Sequence, residues 1–132
     1  MYNKYMSEDQ ELKKGSTPTL ILAVLADGPR HGYAIAREIE RRCQDALKVG
    51  EGALYPALRA LEREELVQSE WQTQNSGPAR RVYTLTDAGR ARLAASLHSW
   101  TRFSQAVNAV LGSELGSKLG NKNGGIPDVQ PA

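Results

Sequence analysis

Residues 51–86, EGALYPALRALEREELVQSEWQTQNSGPARRVYTLT, change their hydrophobic period midway. Over about residues 51–65, Leu54, Leu58, Leu61 and Glu65 fall on one side of a helix, so the first half reads as a helix with a leucine core face. Pro56 costs that helix little if it lies near the first turn. Val67, Ser69, Trp71 and Thr73 then alternate with Gln68, Glu70 and Gln72, the period of a strand. Asn75-Ser76-Gly77-Pro78 makes a turn, and residues 81–85 a returning strand. The stretch is a helix followed by a β-hairpin.

Upstream, Thr17-Pro18 reads as an N-cap with proline at the first helical position, opening a short buried helix over residues 20–26. Asp27-Gly28-Pro29 stops it. His31-Gly32 opens a second helix to about Cys43, with Tyr33, Ile35, Ala36 and Ile39 inward and Arg37, Glu38 and Arg41 outward. A polar link over residues 44–50 leads into the third. Downstream of the hairpin, Thr86 with Asp87 behind it caps a long last helix over about residues 87–111. The fold class expected is mainly α with a small β-hairpin (α+β): a winged helix-turn-helix over residues 15–86 with a long C-terminal dimerisation helix over 87–111. Residues 1–14 form an arm, helical or disordered, that packs on a dimer partner if helical. Residues 112–132, in which glycine recurs and aromatics vanish, read as a flexible tail.

A chain of 132 residues, 40% apolar and 24% charged, suits one globular domain with a modest core. Seventeen Lys+Arg against fifteen Asp+Glu leave a net charge of +2, so the distribution of charge must speak for any polyanionic partner. The single cysteine, Cys43, excludes an internal disulfide framework and fits a reducing cytoplasm. No long apolar run suggests a membrane span, and MYNKYMSEDQ lacks the apolar stretch of a signal peptide. A cytoplasmic protein with no membrane partner is expected. His31 and His98 have no nucleophile or carboxylate motif around them, no pair has metal-ligand spacing, and no glycine-rich phosphate loop occurs. No catalytic residue, metal or cofactor is expected; His31 reads as a turn residue and Cys43 as a small core residue.

Opposite the leucines, the third helix carries Gly52, Tyr55, Pro56, Arg59 and Arg63. An aromatic hydroxyl, two guanidiniums and a close-approach glycine are what a helix in a major groove needs, although an ordinary solvated face has the same composition. Glu51, Glu62 and Glu64 dilute its charge. The hairpin shifts the balance, because residues 74–81 hold Arg80 and Arg81 with no acid among them. Such a ribbon can lie along a phosphate backbone or enter a minor groove. The candidate DNA-binding set is Glu51, Gly52, Tyr55, Arg59, Arg63, Arg80 and Arg81.

On the last helix Leu93, Leu97, Trp100, Ser104, Val107 and Leu111 are spaced four, three, four, three and four apart, a heptad seam. A helix of about 25 residues spans roughly 37 Å, more than a small three-helix core covers. The seam wants a partner helix, from a second copy in a two-fold dimer or from residues 1–14. Trp100, large and next to the small Ser104, leaves a gap between two indoles that suits a flat aromatic or cationic compound, or else simply fills the interface.

The segments LADGPRHGYAIAREIE (25–40), EGALYPALRALEREELV (51–67), ARRVYTLTDAGRARL (79–93) and LHSWTRFSQAVNAVL (97–111) resemble the PadR-like transcriptional regulators, bacterial winged-helix repressors. The resemblance covers about residues 12–111 and points to the compact branch, with one C-terminal helix. It implies a homodimer on a pseudo-palindromic operator, with Tyr55 of the Leu-Tyr-Pro triplet as the reading tyrosine and Arg80 and Arg81 as wing arginines. In multidrug-responsive members paired tryptophans line a pore at the dimer centre, and Trp100 stands at the matching place. The turn Ser76-Gly77-Pro78-Ala79 departs from the Gly-Gly-Arg of many members, which leaves the wing tip with less charge. The function expected is a DNA-binding repressor released by a small-molecule effector. The alternative is a winged-helix protein-interaction or ligand-sequestering module without specific DNA binding, for which the near-neutral charge speaks.

Overall fold

The computed structural model describes residues 8–120. The chain divides into two units, one ending at Ser96 and one beginning at Leu97. In the first, α1 (Glu8–Leu25) precedes a short strand β1 (Arg30–His31), α2 (Gly32–Arg42), α3 (Glu51–Arg63), β2 (Val67–Gln72) and β3 (Arg80–Leu85); α4 (Asp87–Gly120) begins there and carries the second. The α-rich fold with a small antiparallel sheet, expected from the sequence, is what forms.

α1 does not start at Thr17. The helix runs through Pro18, and Thr17 is buried instead of standing free as a cap. A proline inside a helix forfeits one backbone bond and crowds the carbonyl four residues back. Here Ile21, Leu22, Val24 and Leu25, each at most 2% exposed, hold the segment in the core, and packing outweighs the local penalty. α2 buries Ile35, Ala36 and Ile39 as expected, but Tyr33 is 64% exposed, not inward. It lies off the stripe that Ile35 and Ile39 define, one helical turn apart. The link after α2 is tied down by the Val49 N–H, which donates to the buried Glu40 carboxylate at 3.3 Å.

α3 buries Leu54, Leu58 and Leu61, and Pro56, on its open side, removes one intrahelical donor. The helix ends two residues earlier than the wheel suggests. Glu65 takes a left-handed φ of 62°, and the Leu66 N–H reaches back to the Leu61 carbonyl at 2.9 Å. That is a Schellman closure made without glycine.

The sheet order is β1-β3-β2, all antiparallel. β2 and β3 pair from Val67 opposite Leu85 out to Gln72 opposite Arg80, so Ser69 faces Tyr83 and Trp71 faces Arg81. β1 adds Arg30 opposite Tyr83 and His31 opposite Val82. Two residues carry no period, so this third strand has no signature of its own. Thr86 then caps α4: its hydroxyl accepts from the Gly89 N–H at 3.0 Å and donates to the Glu65 carbonyl at 2.7 Å.

Within α4, Gly112 breaks the helix at φ 67°, ψ 151°, one residue after the expected end. Helical turns then resume to Gly120, where composition alone suggests a flexible tail. Glu114 and Lys118, like Leu115 and Leu119, stand four residues apart, the spacing that supports a helix. The expectations for residues 1–7 and 121–132 lie outside the described residues. No helix among the described residues is long and apolar enough to cross a membrane.

Candidate nucleic-acid interface

The leucine face of α3 packs into the core, so its other side is turned out and the position of Tyr55 is set by burial elsewhere on the helix. Tyr55 is half-buried and packs against the edge of the core. Its ring lies over Gly32 at the start of α2. One turn on, Arg59 is exposed. The hairpin rises beside them. A groove of about 410 Å³ opens between, walled by Tyr55 and Arg59 from α3 and by Trp71, Arg80, Arg81 and Tyr83 from the hairpin. His31, Gly32 and Tyr33 close its end. Of the candidate set, the fold thus gathers Tyr55, Arg59, Arg80 and Arg81 into one groove. Glu51, Gly52 and Arg63 are exposed on α3 but do not line it.

The cations differ in how they are held. No ion pair among the described residues engages Arg59, Arg63 or Arg80. Arg81 is held by the Glu62 carboxylate of α3 at 3.0 Å and donates from Nε to the Ser69 hydroxyl at 2.7 Å. Its guanidinium carbon lies 5.9 Å from the Tyr83 ring centre. Burial, and secondarily the neighbouring Arg80 charge, push the His31 imidazole below its ordinary pKa of 6.5, so it is neutral at pH 7. Burial raises the Tyr83 phenol, so that hydroxyl stays protonated at neutral pH.

Five groove residues lie outside the candidate set: His31, Gly32, Tyr33, Trp71 and Tyr83. His31, taken as a turn residue, joins through β1, and its ring stacks with that of Tyr33 at 6.5 Å. Tyr33 comes in because it is off the core stripe. Trp71, 69% exposed, comes in because it faces Arg81 across the ladder. The alternation of β2 held that signal, but only once the register is known. Aromatic faces and unpaired guanidiniums in one groove suit a polyanion with flat bases: arginines meet phosphates and guanine edges, and the Tyr55 hydroxyl can donate or accept. No cluster of metal-ligating side chains occurs among the described residues.

Of the seam residues, Leu93 packs on the core of the first unit. In the second unit Leu97 is 60%, Trp100 56%, Val107 36% and Leu111 51% exposed, while Ser104 is half-buried. Phe103 and Val110, absent from the heptad reading, are exposed too, and the Phe103 ring lies 6.2 Å from that of Trp100. The apolar face is wider than a strict seam.

Residues 21–95 match the model of the transcriptional regulator PadR-like family. A transcriptional regulator of Mycobacterium tuberculosis is 39% identical over 84 residues, which cover 64% of this chain and 75% of the relative. A PadR family transcription regulator from Clostridium difficile superposes with a TM-score of 0.65 at 30% identity, over 74% of this chain and 100% of that one. A transcriptional regulator from Clostridium thermocellum shares the fold, with a TM-score of 0.72 at 22% identity over 77% of this chain and 99% of that one.

Proposed function

Since the chain belongs to the transcriptional regulator PadR-like family, we propose that it acts as a repressor that binds a pseudo-palindromic operator as a homodimer. The observation that carries this reading is the groove in which α3 and the hairpin bring Tyr55, Arg59 and Arg80 together. α3 enters the major groove with Tyr55 and Arg59 toward base edges, and Arg80 meets the backbone from the hairpin side. One head this small makes few base contacts. A two-fold pair doubles them and reads half-sites about one helical turn apart.

The apolar face of α4 beyond Ser96 supports pairing with a second copy, since a face that wide is costly to leave in water. The exposed Trp100 supports an effector site at that interface for a flat aromatic or cationic compound. Such a ligand relieves repression only if it binds the spacing of heads that does not fit the operator more tightly than the one that does.

The test is footprinting on the fragment upstream of the protein's own gene, followed by affinity measurements across salt. A specific reader protects a two-fold site, and log K falls linearly with log salt at about 0.9 per phosphate neutralised. Tyr55→Ala and Arg59→Ala each weaken binding by about 1–3 kcal/mol without unfolding the chain. A protein-interaction module lacking specific DNA binding protects no site and binds all duplexes alike.

A further inference from the structure

We propose that Arg81 is a positioning residue of the hairpin and not a DNA contact: with Glu62 and Ser69 it locks the hairpin at a set distance from the reading helix. This rests on the DNA-binding reading above.

The three side chains come from three elements and close a ring. The Ser69 hydroxyl on β2 donates to Glu62 Oε2 on α3 at 2.6 Å. Arg81 on β3 donates from Nε to Ser69 Oγ at 2.7 Å and from Nη2 to both Glu62 oxygens at 3.0 and 3.2 Å. Ser69 both accepts and donates, so no member can rotate away without breaking two of the contacts. The adjacent Tyr83 ring closes over the guanidinium. Glu62 lies two turns beyond Tyr55 on the same rigid helix, so the ring ties the hairpin to the element that carries the reading residues.

Charge separates the two arginines. Arg81 and Glu62 together are neutral, so a phosphate nearby meets attraction and repulsion alike, and few counterions are released on its account. Arg80, next in the chain, has no ion-pair partner among the described residues. Arg80 is therefore the phosphate ligand, and Arg81 places it. A planar guanidinium suits that work because it bonds a hydroxyl and a carboxylate at once in fixed geometry.

The experiment measures binding of the protected promoter duplex and of an unrelated duplex of equal length, each over a range of salt, for wild type and variants of the full chain. Arg80→Ala lowers the salt slope by about 0.9. Arg81→Ala keeps the slope but lowers the ratio of promoter to unrelated affinity about tenfold, the scale of one misread base pair. Glu62→Ala lowers the ratio equally although it removes a negative charge, and the double variant is no worse than either single one. The charge swap, Glu62→Arg with Arg81→Glu, rebuilds the pair in reverse and recovers the ratio. Since the swap restores the lock, a general loss of folding in the single variants cannot imitate the pattern.

A slope lower by about 0.9 in Arg81→Ala, tighter binding of both duplexes by Glu62→Ala with an unchanged ratio, or a swap worse than either single variant would each make Arg81 a backbone ligand and overturn the proposal. Variants that all bind like wild type overturn it too. Wild type that fails to distinguish the duplexes overturns the DNA-binding reading itself, and this inference with it.

Discussion

The Tyr55 ring occupies the space that a side chain on Gly32 would need: a β-carbon at Gly32 would stand 2.9 Å from both Cε1 and the hydroxyl oxygen of Tyr55. The start of α2 and the face of α3 that carries Tyr55 are thus in contact through the absence of a side chain. Gly32→Ala meets only the far end of a side chain, which can swing away. Thermal stability should change by less than about 1 kcal/mol, since alanine suits a helix better than glycine. Operator affinity should nevertheless fall about as far as in Tyr55→Ala, roughly 1–3 kcal/mol. Paired thermal melts and binding isotherms check this. An unchanged affinity in Gly32→Ala would mean that the tyrosine's position is irrelevant to reading.

Gly89 presents the opposite case. A β-carbon there would collide with the Leu66 carbonyl oxygen and stand 2.6 Å from Leu85 Cδ1, and the backbone cannot swing aside. Gly89→Ala should destabilise the first unit by about 3 kcal/mol. Thr86→Ala, which removes the α4 cap and the donor to the Glu65 carbonyl, should cost about 1–2 kcal/mol. Urea unfolding should show the midpoint falling in that order with the slope unchanged.

His31 gives a pH signature. Its folded pKa lies below 6.5, first through burial and then through Arg80. Because the unfolded chain takes up the proton more readily, this contribution to stability is complete above about pH 6.5 and declines as pH falls toward the lower folded value. Arg80→Ala removes the second cause. An NMR titration should then show the His31 pKa rising while remaining below 6.5, since burial persists. No movement would mean that the Arg80 charge does not reach His31.

The apolar face of α4 predicts assembly. Sedimentation should find a wild-type dimer, and the pair Leu97→Asp with Val107→Asp should give monomers or aggregates, because each places a charge in the apolar seam. A dimer that survives both changes would put the interface elsewhere.

Much of this protein is legible along the chain because local period carries it. The leucines of α3, the alternation into the hairpin and the Thr86 cap each depend on neighbours within a few residues, so sequence alone determined three helices, a hairpin and a long terminal helix, in order. The same periods put Tyr55, Arg59, Arg80 and Arg81 forward as one surface, together with Glu51, Gly52 and Arg63, which do not line the groove. Tertiary structure decided what depends on residues far apart. Packing around Ile21 and Leu22 carried α1 through Pro18, against the local cap signal. Pairing of Arg30 and His31 with Tyr83 and Val82 made a third strand from two residues that have no period to display. The ladder register alone put Trp71 beside the groove and turned Arg81 onto Glu62, nineteen residues away, while Arg80, its neighbour, took no ion pair. Two adjacent arginines look alike in a sequence; both line the groove, and they differ because the folded ladder brings Arg81, and not Arg80, within reach of the Glu62 carboxylate.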